Sequence, residues 1–245
     1  MSLARVPLVS LKTEADLNVL TISNGVNNSL TNEGLRDMMV ALAEALSGNT
    51  NPIMITGMGE RAFSVGYSAS CTKISDKMHL EEAYSLGTSV ARTLLRNDRP
   101  VISAINGYAL GLGLEIALCS DFIISSDRSR FGMPEIRFGI PSLTGFVPEI
   151  PDKYPGGLFA AVKSGEIFGI EEARSFGMIT AIIDSRNFIK EAENYCRKME
   201  TRLVKMLKPP ERVGQYRQAV DSLFFRIYSP SCLTMRELER FRNSI

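Results

Sequence analysis

Two acidic residues beside a glycine turn carry most of the chemistry in this 245-residue chain. Gly111-Leu112-Gly113 is followed by Leu114, Ile116, Ala117 and Leu118, good helix formers with no Pro or Gly among them. A helix opening near Gly113 leaves its first backbone N–H groups without intrahelical acceptors, aimed back into the turn. Such groups favour negative charge, whether a phosphate or an oxyanion that develops during a reaction. Glu115 falls in the first turn of that helix. Glu135 follows a strand candidate, Asp121-Phe122-Ile123-Ile124. Two carboxylates can divide acid and base duties when burial raises the pKa of one of them. On spacing alone, Glu115 suits a helix N-terminus as well as it suits catalysis.

The elements that must hold these residues are legible nearby. Val101-Ile102-Ser103-Ala104-Ile105 has strand length after Pro100, and Asn106-Gly107 ends it with a turn signal. The order is therefore strand, glycine loop, helix. A dinucleotide fingerprint is disfavoured, since Ile116 holds the place of the third glycine, and no Gly-Lys-Ser/Thr follows to make a P-loop. Residues 100–119 are nearly apolar enough for a membrane span. Asn106, Glu115 and the glycines Gly107, Gly111 and Gly113 instead favour a buried segment of a soluble protein.

Taken in order, the strand, Asn-Gly, Tyr-Ala, the glycine turn, Glu115, Cys119-Ser120-Asp121 and Phe131-Gly132-Met133-Pro134-Glu135 resemble the enoyl-CoA hydratase/isomerase (crotonase) family. Upstream, Thr56-Gly57 leading into Ala62-Phe63-Ser64-Val65-Gly66 is similar to the family's Thr-Gly and Ala-Phe-x-x-Gly pattern. Downstream, Ser164-Gly165 and Ala173-Arg174-Ser175-Phe176-Gly177-Met178-Ile179 resemble its Thr-Gly and Ala-x-x-x-Gly-Leu-Val segment. The resemblance implies an α/β fold, a crotonase-like spiral of repeated β-β-α units over residues 1–185. A helical region over residues 186–245 would build homotrimers, often paired as hexamers.

It also implies an enoyl-CoA hydratase, a hydro-lyase adding water reversibly and syn to a trans-2-enoyl-CoA. Glu115 and Glu135 would be catalytic, and the backbone N–H groups of Tyr67 and Leu112 would form the oxyanion hole. Ala62, Val65, Gly66, Tyr67, Ala69 and Gly111 would bind the acyl-CoA thioester, with carbonyls of Val65 and Tyr67 toward the adenine. No metal or further cofactor is implied, since coenzyme A arrives with the substrate. An isomerase that moves the double bond with one glutamate, and a catalytically idle acyl-CoA-binding protein, are the alternatives.

The chain departs from the family pattern at several positions. Leu112 stands where many members have glycine, so its side chain either narrows the acyl pocket or turns away. Ser68 replaces a common Asp, Ser70 stands where some members carry Lys, and Asn24-Gly25-Val26-Asn27-Asn28 lacks a frequent basic residue. Pro141-Ser142-Leu143-Thr144-Gly145-Phe146 replaces a Pro-Gly-x-Gly-Gly-Thr run.

Composition sets the remaining bounds. The 28 basic and 27 acidic residues give no global pull toward nucleic acid or a membrane. Cys71, Cys119, Cys196 and Cys232 form no C-x-x-C pair, which suits reduced thiols in a cytoplasmic protein. Residues 1–12 lack the apolar run of a signal peptide. Val19-Leu20-Thr21-Ile22 and Pro52-Ile53-Met54-Ile55-Thr56-Gly57 read as strands. Leu35, Met38, Met39, Leu42 and Leu46 mark a helix beginning near Thr31, and Ala83, Leu86, Val90 and Leu94 mark another. Helices are expected over residues 192–207, 211–226 and 233–242. Their Arg197, Lys198, Arg202, Lys205, Lys208, Arg212 and Arg217 suit either a solvated face or a site for coenzyme A phosphates. His79, the only histidine, would have to serve any Ser-His-Asp site, and Gly66-Tyr67-Ser68-Ala69-Ser70 narrowly misses the G-x-S-x-G elbow.

Overall fold

The computed structural model describes residues 5–68 and 77–199. β1 (Val9–Thr13) and β2 (Asn18–Ile22) pair antiparallel, and α1 (Asn32–Gly48) follows. From there the chain repeats strand, strand, helix. β3 (Ile53–Gly57) and β4 (Ala62–Ser64) precede α2 (Lys77–Arg96), and β5 (Val101–Ile105) and β6 (Tyr108–Leu110) precede α3 (Leu112–Leu118). β7 (Phe122–Ser126) and β8 (Arg130–Gly132) lead into a 3₁₀ helix, Pro134–Phe138. After the short α4 (Ile150–Lys153) come α5 (Leu158–Ser164), β9 (Ile167–Gly169), α6 (Ile170–Ser175), β10 (Ala181–Ile183) and α7 (Phe188–Arg197).

Successive strands alternate between two sheets, and that alternation is the spiral. The first strand of each repeat joins a six-stranded sheet, order β1-β2-β3-β5-β7-β10, which is parallel except for the β1–β2 pair. The second joins a four-stranded sheet, β4-β6-β8-β9, parallel up to β8. β3 and β5 are buried along their whole length, as parallel strands covered on both faces must be, which is why they are apolar but for Thr56 and Ser103, whose hydroxyls meet Ala104 O at 2.9 Å and Ser120 Oγ at 2.7 Å. Thr31 caps α1 by accepting from Gly34 N at 3.2 Å, and Leu35, Met38 and Leu42 then meet the main core.

The opposite face of the large sheet has its own cluster. Val19, Met54, Ile102, Ala104 and Ile124 pack there with Phe188, Ala192 and Cys196 of α7. This helix differs from the one expected over residues 192–207, beginning at Phe188 and ending at Arg197. After Arg197 the turn tightens, with Lys198 N donating to Tyr195 O and Met199 N to Cys196 O, and Met199 still packs on the same cluster. Arg197 pairs with Glu14 and Asp16 and so fastens the end of α7 to the β1–β2 turn. The other two expected helices, with Arg202, Lys205, Lys208, Arg212 and Arg217, lie outside the described residues. Cys119 and Cys196 are buried free thiols, and Cys71 and Cys232 also fall outside. Among the described residues, no helix is long and apolar enough to cross a membrane.

Candidate active site

Two loops meet where the small sheet ends. After β4 the chain turns through Gly66, whose φ of +94° suits glycine alone. A Cβ there would stand 2.7 Å from Leu110 O and 3.1 Å from Leu112 N, so this turn lies directly on the Gly111 turn. The approach is fixed from beneath. Asn28, at a φ of +48°, donates through its amide to Met58 O at 2.9 Å and Ala62 O at 2.7 Å. Ser64 Oγ accepts from Gly66 N at 3.1 Å, and Val65 N donates to Asn27 O at 3.0 Å. Leu30 brackets Tyr67 in a parallel bridge, donating to Gly66 O at 2.8 Å and accepting from Ser68 N at 2.7 Å. That pattern leaves the N–H of Tyr67 off the pairing. Among the described residues, neither Tyr67 N nor Leu112 N, the first residue of α3, finds an acceptor.

Leu112 is 2 % exposed and its side chain belongs to the main core. Ala62 is buried in β4, and Ala69 lies outside the described residues.

The two glutamates reach this junction from different elements. Glu115 is 1 % exposed in the first turn of α3. Its Oε2 accepts from Ser142 Oγ, from Thr144 Oγ1 at 2.5 Å and from Thr144 N at 3.0 Å, while Oε1 accepts from Leu143 N at 3.2 Å. Burial pushes the Glu115 carboxyl upward, and these hydrogen bonds draw it partly back. Glu135 sits in the first turn of the 3₁₀ helix, whose left-handed cap is Gly139. Its carboxylate lies over the glycine turn: a Cβ at Gly111 would stand 2.8 Å from Oε1 and 2.9 Å from Oε2. Burial, with the neighbouring Glu115 charge, raises Glu135 to about 8, and its own backbone N–H opposes that only in part. Arg137 points elsewhere, donating to Ser164 O at 2.9 Å.

Ser142 and Thr144 are partners of Glu115 that the sequence did not single out, beyond marking their segment as a departure from a glycine-rich run. Two hydroxyls at alternate positions were the only signal. Nor did the sequence indicate Lys153, which donates to Leu118 O at 2.7 Å and Ser120 O at 2.6 Å and so closes the C-terminal end of α3. His79 is occupied elsewhere than in a serine triad. Nε2 lies 2.9 Å from Tyr67 Oη, and Nδ1 lies 3.3 Å from Asn32 Nδ2. Both ring nitrogens therefore serve to brace the Tyr67 side chain, which also donates to Asn32 Oδ1 at 2.7 Å. Burial raises the Tyr67 phenol to about 12, so it stays a neutral donor.

The same fold is found in solved structures. An enoyl-CoA hydratase from Thermoplasma volcanium superposes with a TM-score of 0.73 at 24% identity, covering 90% of this chain and 93% of that one. A probable enoyl-CoA hydratase from Mycobacterium tuberculosis does so with a TM-score of 0.77 at 20% identity, covering 88% and 94%. The chain belongs to the enoyl-CoA hydratase/isomerase family, whose model matches residues 12–219. It is 28% identical over 191 residues to a crotonyl-CoA hydratase of Syntrophomonas wolfei, a match spanning 76% of this chain and 72% of the relative. It is 31% identical over 148 residues to a carnitinyl-CoA dehydratase of Escherichia coli, spanning 60% of this chain and 56% of that relative.

Proposed function

We propose that this chain is an enoyl-CoA hydratase that adds water syn across the double bond of a trans-2-enoyl-CoA. The observation that carries this is the convergence of Glu115 and Glu135, from two separate segments, where the Gly66 and Gly111 loops meet and where, among the described residues, Tyr67 N and Leu112 N find no acceptor. Water attacks the β-carbon and gives a proton to Glu115. The electron pair of the double bond moves into the thioester, whose oxygen takes up negative charge. Tyr67 N and Leu112 N donate to that oxygen, and one such fixed donor is typically worth about 2.7–4 kcal/mol. Glu135 then delivers its proton to the α-carbon, and the carbonyl re-forms. The product is the 3-hydroxyacyl-CoA, and proton exchange with water resets the two carboxyls.

The raised Glu135 supports its role as the acid, since a carboxyl near 8 still holds its proton at neutral pH. Relatives named for hydration of crotonyl-CoA and dehydration of carnitinyl-CoA support the reaction class. Carbonyls of Val65 and Tyr67 would address the adenine, with Ala62, Gly66, Ala69 and Gly111 shaping the path to the thioester. So written, the reaction draws on no metal or redox group. Assembly as a trimer or hexamer in the cytoplasm belongs to the same proposal.

The test is product analysis with crotonyl-CoA. Appearance of 3-hydroxybutyryl-CoA supports hydration. With a 3-enoyl-CoA, double-bond migration alone would assign an isomerase using Glu135, and tight binding without turnover would assign a carrier.

A further inference from the structure

The segment over Glu115 is built to address a charged group. Gly145 N donates to Ser142 Oγ at 3.0 Å, and Phe146 N donates to Thr144 Oγ1 at 3.1 Å. A hydroxyl has one proton to give. With each oxygen already receiving a backbone N–H, that proton is directed onto Glu115 Oε2, and such N–H to O–H to carboxylate chains reinforce one another. Thr144 N reaches the same oxygen at 3.0 Å. Three donors therefore converge on Oε2, whereas Oε1 holds only Leu143 N. A carboxyl proton has no place on Oε2 among those donors, and the free acceptor capacity of the group lies on Oε1.

The segment is itself held firmly. Leu143 and Phe146 are buried in the main core, and α2 rests on the backbone between the hydroxyls. A Cβ at Gly87 of α2 would stand 2.4 Å from Leu143 O. Among the described residues, the titratable groups that act on Glu115 or its helix are Glu135 from the 3₁₀ helix, Cys119 at the C-terminal cap of α3, Lys153 and Glu149 beside that thiol, and Tyr154, whose hydroxyl donates to Leu118 O at 3.5 Å.

We propose that Ser142 and Thr144 are positioning residues that favour the charged form of Glu115 and present Oε1 to the attacking water. This rests on the hydratase proposal and adds to it the device that separates the two carboxyls, the base fixed by donated hydroxyl protons and the acid left without them. Among the described residues, the Glu135 carboxylate receives no side-chain hydrogen bond to match.

The experiment is a titration of Glu115 in the ligand-free protein, by ¹³C NMR of carboxyl-labelled glutamate with the signal assigned through Glu115→Gln. A hydrogen bond to a charged group is worth enough that Ser142→Ala and Thr144→Val should each raise the Glu115 midpoint by about one to two pH units. Thr144→Ser should restore the wild-type midpoint. In the same variants the acid limb of kcat for crotonyl-CoA should move to higher pH by a like amount, with KM little changed. A Glu115 midpoint unmoved in folded Ser142→Ala overturns the proposal, and that variant decides it alone if Thr144→Val does not fold. Because the titration uses no substrate, a wild-type protein that fails to hydrate crotonyl-CoA would remove the hydratase proposal and leave this result to be read separately.

Discussion

Replacing Gly111 by alanine separates the geometry of the site from the stability of the fold. Gly111 has a φ of +51°, and its missing Cβ leaves the space in which the Glu135 carboxylate rests. With ψ at −128° the residue lies outside the left-handed helical region, in backbone space open essentially to glycine, and a Cβ there costs about 1–3 kcal/mol. That corresponds to a Tm loss of roughly 2–12 °C for a domain of this size. The added methyl would stand 2.8 Å from Oε1, against the 3.4 Å at which ordinary contact begins, so the carboxylate must retreat by about 0.6 Å. Displacement of a catalytic group by about 1 Å can cost 10²-fold, so kcat should fall roughly ten- to a hundred-fold with KM for the thioester nearly kept. Gly177→Ala is the control, since φ is +73° there and nothing lies within 4 Å of the added Cβ. It should lose Tm by no more than Gly111→Ala does and keep full kcat. Paired steady-state kinetics and thermal melts measure both quantities. Equal kcat in Gly111→Ala and Gly177→Ala would refute the placement of Glu135 as the reacting acid.

Further expectations concern pH and the supports of the site. Glu135 holds its proton to about 8 when folded against an ordinary 4.5, so the folded chain binds more protons than the unfolded chain between those values. The stability this group contributes is fully present below 4.5 and is lost as pH rises through about 8. The Tm of Glu135→Gln should therefore gain on that of the wild type across this window, and a constant difference would contradict the buried, protonated carboxyl. Asn28→Ala removes the bonds to Met58 O, Ala62 O and Asn24 N, and should cost about 2–3 kcal/mol, or roughly 4–12 °C in Tm. An unchanged melt would show that the first loop is held by other means. Gly87→Ala must lift α2 off Leu143 O, and kcat should fall about ten-fold or more through the Glu115 contacts. Full activity in that variant would uncouple α2 from the site.

The parts of this fold that can be read from sequence are those whose surroundings are uniform. β3 and β5 are buried on both faces, so their residues are apolar but for Thr56 and Ser103, and α1 announces itself through Thr31 and the spacing of Leu35, Met38 and Leu42. The glycine turn and both glutamates are visible because one short stretch holds them. β4, β6 and β8 are not, since three residues each are too few to show an alternation and their pairing partners lie a whole repeat away. β1 is an edge strand whose Ser10, Leu11, Lys12 and Thr13 are not buried, so its pattern resembles a loop. The bonds from Ser142 and Thr144 to Glu115 span 27 and 29 residues, and those of Arg197 join opposite ends of the described chain. Nothing local in the sequence encodes such contacts, because they follow from how the repeats stack. Of the region 186–245 expected to build the trimer, residues 200–245 lie outside the described residues.

Hydration kinetics of Glu115→Gln, Glu135→Gln and the double variant on crotonyl-CoA bear most directly on the paired-carboxylate mechanism. Removal of a positioned acid or base usually costs about 10²–10⁴-fold, so each single variant should lose kcat by that order while KM stays within a few-fold. Two groups acting on one water are not additive, and the double variant should be little worse than the poorer single. A single variant that hydrates at the wild-type rate, or a double variant in which the two losses multiply, would contradict it.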